Sequence, residues 1–351
     1  MPMKIKFIDQ SALGGRSCFY VGGQYGGEDG RHFLCHQMFV EAYIPKEVTQ
    51  PYPLIFFHGA GQTNVNWLIT PDGRMGWADY FVSRGFAVYL AEQPARARSA
   101  YHPSVDGPST FHSTEIMTSR FIGSNGGWPQ SEKHTQWPGD PEDEAAIQFL
   151  SAAVEYLPSN RDSQALVLRA GVELLKLVGP AVLITHSQAG PFGWLLADAC
   201  PELVKGIVAF EPGGPPFSAD PTAAKAKNYG PADLPLHFEP EVTSPDDFKL
   251  EWLPAPEADQ KGGWILRDDD GHSLPRLAGI PILIATAEAS YHAQYDHLTA
   301  RVLAQLGAAN DHVYLGNVGL CGNGHMLMLE KNNLEIADFT INWLTDHVKA
   351  E

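Results

Sequence analysis

The feature that most constrains the fold of this chain is an apolar run that ends abruptly at a serine. Val182–His186 reads as a buried strand, Ser187 follows it, and a helix-like stretch occupies Phe192–Ala199. A tight turn between strand and helix presents a serine hydroxyl at the sheet edge and leaves the next backbone N–H free to bind an oxyanion. The usual pattern of this nucleophile elbow is G-x-S-x-G, and here Thr185 replaces the first glycine. Alone, S-x-x-G is equally typical of a serine that caps a helix.

Two other segments stand in the order that a serine hydrolase requires. The apolar run Tyr52–Phe57 enters the Gly-rich turn His58–Gly61, where a second oxyanion donor is expected after the third strand. Near the C-terminus, His325 lies in a Gly-rich loop just before a terminal helix, which is the usual place of the general base. The three signals together favour Ser187 as a nucleophile over Ser187 as a helix cap.

Strand-like runs alternate with helix-like stretches along most of the chain, which predicts a mostly parallel sheet. Strands are expected at 53–57, 86–90, 182–186, 205–210, 280–285 and 311–316, and helices at 77–84, 163–177, 291–306 and 329–349. Residues 17–24 and 33–44 alternate in polarity and predict an N-terminal antiparallel hairpin around the loop 26–31.

The regular pattern is lost in two long segments, 100–160 and 212–275, and the second is rich in proline. Long irregular segments in a compact domain are usually functional lids. We therefore expect a single α/β domain over residues 1–351, with 100–160 and 212–275 inserted as a cap over Ser187. Five aromatic residues in these segments either line an aromatic pocket or pack a core within the cap: Tyr101, Trp128, Trp137, Trp252 and Trp264.

A triad also needs a carboxylate that orients the histidine. The usual position, after the strand 282–285, offers Glu288 but no aspartate at the expected turn. Glu211 directly ends the preceding strand, and Asp296 is a third option well inside the predicted helix 291–306. The residues alone leave all three open.

Several segments of the chain resemble an atypical bacterial esterase family of the α/β-hydrolase superfamily. The resemblance covers most of residues 17–348, with the two insertions poorly matched, and it is carried by Thr70–Trp77, Arg96–Ala100, His186–Gly190, Glu211–Gly213, His325–Met328 and Asn332-Asn333. That family uses a glutamate after strand six as its triad acid. The resemblance implies Ser187 as nucleophile, His325 as base, Glu211 as acid, and the backbone N–H groups of Ala60 and Gln188 as oxyanion donors. The chain departs at Ala60-Gly61, where a member of the family has two adjacent cysteines.

Composition excludes some partners. The formal net charge of −17 argues against binding to nucleic acid or to an anionic membrane surface, and it opposes a strongly anionic substrate. The histidines and cysteines lack zinc-ligand spacing, and Asp268–His272 lacks the later acidic ligands of a calcium loop, so no metal or cofactor is expected. Cys18 and Cys35 flank the predicted hairpin and are either paired or, like the other two cysteines, buried thiols.

No apolar run approaches the ~20 residues of a membrane span, and the first residues lack the apolar core of a signal peptide. These features predict a soluble cytoplasmic protein, or a periplasmic or secreted one if a leader has been removed, and they leave a homodimer open. The expected function is hydrolysis of a small carboxylic ester or lactone through an acyl-enzyme. The alternatives are C–C bond hydrolysis or acyl transfer with the same triad, and a non-catalytic binding protein on a hydrolase scaffold.

Overall fold

The computed structural model of the protein describes residues 5–217 and 228–350. Strands in these residues are β1 (Leu13–Val21), β2 (Gln24–Glu28), β3 (Arg31–Cys35), β4 (Met38–Pro45), β5 (Leu54–Phe57), β6 (Val88–Glu92), β7 (Ala181–His186), β8 (Val204–Phe210), β9 (Leu250–Leu253), β10 (Gly263–Leu266), β11 (Ile282–Thr286) and β12 (Asp311–Tyr314). Eight of the strands form one sheet, in the order β1-β4-β6-β5-β7-β8-β11-β12. The pairs from β6 to β12 are parallel, and β1–β4 and β4–β6 are antiparallel. The mostly parallel α/β sheet predicted from the sequence is therefore present.

Helices connect the parallel strands and cover both faces of the sheet. The α-helices of the described residues are α1 (Val65–Leu68), α2 (Trp77–Ser83), α3 (Pro103–Asp106), α4 (Thr114–Met117), α5 (Glu144–Ser151), α6 (Asn160–Val178), α7 (Gly190–Ala199), α8 (Asp296–Gln305) and α9 (Asn333–His347). Side chains of α6, α7 and α8 pack in one core cluster, and those of α2 and α9 pack in another. Strands β5, β7 and β11 are buried at every residue because each face of the sheet meets one of these layers.

Alternation along β5 shows how one strand serves both layers. Ile55 and Phe57 belong to the α6–α8 cluster, while Leu54 and Phe56 belong to the α2–α9 cluster. Successive side chains of a strand point to opposite faces of the sheet. A continuous apolar run is thus required here, which is why the run was recognisable in the sequence.

The N-terminal hairpin differs from its prediction. β1 pairs with β4, from Leu13 opposite Pro45 to Val21 opposite Met38, and a second hairpin, β2–β3, lies between them in the chain. The predicted loop 26–31 is mostly strand, and its turn is reduced to Asp29-Gly30. Ladder hydrogen bonds use backbone groups alone, so the glycines of β2 pair despite their low strand propensity.

The predicted insertions contain more structure than their sequence suggested. Residues 100–160 hold α3, α4, a π-helical turn at Thr118–Ile122, a 3-10 segment at Pro129–Lys133, and α5. Side-chain oxygens of Ser113 and Asp143 cap α4 and α5. Residues 212–275 hold a 3-10 turn at Pro245–Asp247 and the two-stranded sheet β9–β10, and residues 218–227 of this insertion lie outside the described residues.

Two predicted helices near the C-terminus begin later than expected. The stretch 291–306 divides into a 3-10 segment, Tyr291–Gln294, and α8, so Asp296 is the first residue of α8 and not an interior residue. The terminal helix α9 begins at Asn333, after the 3-10 segment Leu327–Leu329. Apolar periodicity alone does not distinguish a helical turn from a packed 3-10 turn, which explains both errors.

The four cysteines are free: Cys35 and Cys200 are buried, and Cys18 and Cys321 are exposed. The Cys18–Cys35 disulfide is therefore absent. The alternative, four buried thiols, is correct for Cys35 and Cys200 but not for Cys18 and Cys321. Among the described helices, none combines the length and the apolarity needed to cross a bilayer.

Candidate active site

Ser187 stands on a strained turn directly after β7. Its φ of +55° is left-handed, a conformation that costs a non-glycine residue about 1–2 kcal/mol. A 3-10 turn, Ser187–Ala189, then leads into α7. The turn is tightly packed, since a Cβ on Gly59 would lie 2.9 Å from the Ser187 Cβ, and a Cβ on Gly190 would lie 2.3 Å from Pro212. Glycines at these two positions let the neighbouring backbone approach the serine.

The fold brings His325 and Glu211 together in the core. The Nδ1 atom of His325 hydrogen-bonds to Oε2 of Glu211, and both side chains are buried. Glu211 follows β8, the sixth strand of the central sheet along the chain, with a left-handed φ of +51°. Its carboxylate also accepts hydrogen bonds from the Ala287 N–H at 2.9 Å and from the Ser290 hydroxyl at 2.7 Å. Three donors therefore fix the orientation of this carboxylate.

The other two acidic residues that the sequence left open do not contact His325. Glu288 accepts a hydrogen bond from the Gly322 N–H at 2.9 Å and faces the Lys133 ammonium at 3.4 Å. Asp296 pairs with Nδ1 of His292 at 2.8 Å and accepts a hydrogen bond from the Thr286 hydroxyl at 2.8 Å. Of the three, Glu211 has the geometry of a triad acid.

A second buried histidine–carboxylate pair packs against the first, and sequence reasoning missed it. The His292 ring lies parallel to the His325 ring, with centroids 4.9 Å apart and an interplanar angle of 11°. Nε2 of His292 is buried and has no hydrogen-bond partner among the described residues. The spacing of His292 and Asp296, four residues apart, was the available signal, but it marks a pair only once both residues are known to be buried.

Burial keeps His325 neutral. It lowers the pKa of His325 well below its ordinary value of 6.5, and the neighbouring His186 and His292 lower it further. Burial, and next the nearby Asp296, raise the pKa of Glu211 above its ordinary range. A neutral imidazole with Nδ1–H held by a carboxylate presents a lone pair at Nε2, which is what a general base needs.

Tyr291 lies beside His325 and lines the cavity of Ser187, which no motif indicated. Its hydroxyl is 3.3 Å from Nε2 of His325, and its side chain lines the same cavity as Ser187. Burial raises the pKa of Tyr291 above its ordinary value, so the phenol stays protonated. The Phe121 ring stacks on His325 with centroids 5.3 Å apart. Nε2 of His325 therefore meets the Tyr291 hydroxyl beside an aromatic ring.

Arg96 links the two segments that carry the predicted oxyanion donors. Its guanidinium donates to the Gly59 carbonyl at 2.9 Å and to Oε1 of Gln188 at 3.3 Å, although the side chain is only 2% exposed. The Gly59 carbonyl and the Ala60 N–H belong to the same peptide unit, so this contact fixes the direction of that N–H. Burial lowers the pKa of Arg96 to about 9, and it remains cationic at neutral pH.

Ser187 and His325 line one cavity of about 310 Å³. The two predicted oxyanion residues and residues of both predicted insertions line it as well: Ala60, Gln188, His112, Arg120, Phe121, Gly213, Gly214 and Asp233. The five aromatic residues predicted for the cap are not in this wall. Trp252 and Trp264 pack edge to face across β9–β10, and Trp137 packs on Phe149, in agreement with the alternative of a local core.

One group of side chains in the described residues has metal-binding chemistry. Ligand atoms of Glu211, His292 and His325 lie within 4.8 Å of one another. Glu211 and His325 already hydrogen-bond to each other, so a metal bound at those atoms would displace the proton that they share. Of the other histidines considered from the sequence, His134 pairs with Glu330 at 2.7 Å.

An elbow serine and a buried histidine–carboxylate pair on a mostly parallel sheet define the α/β-hydrolase class of esterases. Comparison with known proteins agrees. No family model matches the chain. The chain is 42% identical over 335 residues to "Probable secreted lipase phiG" of Fungal sp. (strain ATCC 74256), and the aligned region covers 93% of this chain and 89% of the lipase. The chain therefore belongs to the family of this lipase, a family of carboxylic ester hydrolases.

A solved structure supports the fold. "The Atomic Resolution Structure of a Novel Bacterial Esterase" superposes with a TM-score of 0.66 over 99% of each chain, at 20% sequence identity. At this identity the likeness shows a shared α/β-hydrolase fold, as the sequence resemblance implied.

Proposed function

We propose that this protein hydrolyses a carboxylic ester or lactone through an acyl-enzyme formed on Ser187. The observation that carries the proposal is the placement of a left-handed elbow serine in one cavity with a buried, neutral histidine whose Nδ1 is held by Glu211. His325 removes the Ser187 proton as the hydroxyl attacks the ester carbonyl. It then protonates the leaving alcohol, and water repeats the sequence on the acyl-enzyme.

In this mechanism the backbone N–H groups of Ala60 and Gln188 bind the oxyanion. Ala60 follows β5, the third strand of the central sheet along the chain, and Gln188 follows the nucleophile, which are the expected positions of the two donors. Removing one such donor commonly costs ~3 kcal/mol of transition-state stabilisation. The Arg96 contacts support both donors, since they hold the Gly59–Ala60 peptide and the Gln188 side chain.

We also propose that residues 100–160 and 212–275 form a cap over this site. His112, Arg120 and Phe121 from the first segment, and Gly214 and Asp233 from the second, lie in the wall of the cavity. A cap of this kind excludes water and limits the shape of the substrate.

The test of the function is a screen of purified protein against aryl esters, lactones and thioesters, with Ser187→Ala as the blank. We expect turnover in the wild type only, and covalent labelling by a serine-directed phosphonate at Ser187 alone. Thermal unfolding of Ser187→Ala should match the wild type, because the side chain contributes little packing on the turn. Full activity of Ser187→Ala, or labelling at another residue, would contradict the assignment.

A further inference from the structure

A second cavity, also of about 310 Å³, adjoins the cavity that contains Ser187. Arg120 and Tyr291 line both cavities, and Lys261 lines only the second one. We refer to this second space as the Arg120–Lys261 cavity. The remaining wall includes the aromatic residues Trp128 and Tyr295. The side chains of Arg120 and Tyr291 therefore border both spaces, and Arg120 can be reached from the cavity that contains Ser187.

The charge of the Arg120–Lys261 cavity is opposite to that of the chain. The chain carries 41 acidic and 24 basic residues, for a net charge of −17. The lining of this cavity nonetheless contains two cations and neither aspartate nor glutamate. Arg120 and Lys261 are both exposed, and a cleft lined by one sign of charge raises the local concentration of a ligand of the opposite sign. The general expectation that the acidic chain repels anions therefore does not extend to this cavity.

The two cations are not used in ion pairs within residues 5–217 and 228–350. The guanidinium of Arg120 lies over the Tyr291 ring, 5.1 Å from its centroid. The backbone N–H of Lys261 donates to the Gln294 carbonyl at 2.8 Å, which anchors the residue while leaving its ammonium available. Arg120 also belongs to the π-helical turn Thr118–Ile122, and such turns frequently occur at functional sites.

The position of Arg120 relates this charge to the reaction. The guanidinium of Arg120 stacks on the ring of Tyr291, and the hydroxyl of the same Tyr291 lies 3.3 Å from Nε2 of His325. An ester carbonyl at Ser187 and an anion at Arg120 are thus separated by about the length of one aromatic side chain. Carboxylates match the planar, bidentate donors of a guanidinium, and the aromatic wall suits the methylene groups between the two ends.

We propose that the Arg120–Lys261 cavity binds a carboxylate of the substrate, and that the substrate class is esters which carry a second, ionised carboxyl group a few carbons from the scissile bond. This inference rests on the proposed function of Ser187. The reaction consumes one water and breaks the acyl–oxygen bond. It releases a dicarboxylic acid and an alcohol when the second carboxylate is on the acyl part, or a carboxylic acid and a hydroxy acid when it is on the alcohol part. It needs no other reactant.

The test compares two para-nitrophenyl esters: the half-ester of adipic acid, and a neutral ester of the same length in which an isopropyl group replaces the carboxylate. The measured quantity is the ratio of their kcat/KM values, anionic over neutral, which cancels losses from misfolding. We expect a ratio above one in the wild type and a fall with rising salt. In Arg120→Gln the ratio should drop by about tenfold or more, the usual effect of losing a hydrogen bond between charged groups.

Two further variants and a control complete the test. Lys261→Gln should also lower the ratio, and Arg120→Lys should retain part of it because the charge is kept. Arg31→Gln removes the same charge from β3, outside the lining of both cavities, and should leave activity and ratio unchanged. This inference fails, and the proposed function stands, if both esters are turned over by Ser187 with a ratio of one or less. The same conclusion follows if Arg120→Gln and Lys261→Gln leave the ratio unaffected. Turnover that survives Ser187→Ala, or no turnover of either ester, overturns the proposed function and this inference with it.

Discussion

Replacing Glu211 by glutamine tests its proposed role as the acid of the triad with little disturbance of its surroundings. The glutamine carbonyl can still accept from the Ala287 N–H, which donates at 2.9 Å to Oε1 in the wild type. The Ser290 hydroxyl can rotate and accept a hydrogen bond where it now donates. The NH2 group must then face Nδ1 of His325, where two donors would meet. The imidazole avoids this clash by moving its proton to Nε2.

That tautomer has no lone pair for the Ser187 proton, so we expect the loss in kcat to be large. The corresponding aspartate-to-asparagine change in a serine protease lowers kcat by about 10⁴, and a factor of 10⁴ corresponds to about 5.4 kcal/mol in the activation barrier. The assay is steady-state hydrolysis of an aryl ester, with thermal unfolding to show that the variant is folded. KM should change little, because Glu211 is fully buried and does not line the cavity of Ser187.

Glu288→Gln is the matched control. Glu288 holds the Gly322 N–H and faces Lys133, and it does not contact His325. This variant should retain turnover close to the wild type. If Glu288→Gln is the inactive variant and Glu211→Gln is active, the assignment of the acid is wrong, and the protein uses the more usual position after the seventh strand.

Three other results are expected. Arg96→Lys should lower kcat by about tenfold, because one ammonium cannot hold both the Gly59 carbonyl and the Gln188 side chain; this is less than the 10²–10³ that follows loss of a whole oxyanion donor. The control variant Arg98→Lys, in the same loop, should leave kcat unchanged, and equal effects of the two changes would contradict the role of Arg96. Because burial lowers the pKa of His325, its base form persists as pH falls, and the acid limb of kcat/KM should have its midpoint below pH 6.5; a midpoint at or above that value would show a solvated imidazole. Limited proteolysis should first cut within 100–160 or 212–275, and first cuts in the central sheet would contradict the proposed cap. Protection of these segments when a covalent phosphonate occupies the wild-type site would support it.

The α/β architecture could be predicted from the sequence because its signals are local. Parallel strands that are buried on both faces are mostly apolar, so the runs at β5, β7 and β8 are visible without any knowledge of their partners. Ser187 was visible for the same reason, since a strand, a small turn and a helix follow one another within a few residues. Boundaries were less accurate where a 3-10 turn precedes a helix, as at Tyr291–Gln294 and at Leu327–Leu329.

The proposal of Glu211 as the acid depends on contacts between distant segments of the chain. Glu211 and His325 are 114 positions apart in the chain, and nothing in the composition around Glu211, Glu288 or Asp296 shows which one meets the imidazole. The resemblance to a family favoured Glu211, but the physical reason is the parallel pairing of β8 with β11, which places the end of β8 beside the loop at Ala287 and Ser290.

The same holds for the residues around the triad. The contacts of Arg96 with Gly59 and Gln188, and of Tyr291 with His325, join segments that no spacing rule connects. Local sequence specifies which backbone conformations and apolar faces are available, because these depend on neighbouring residues. The partners of a buried polar side chain depend on how the strands are ordered in the sheet and on which loops those strands bring to one edge, and this information is distributed over the whole chain.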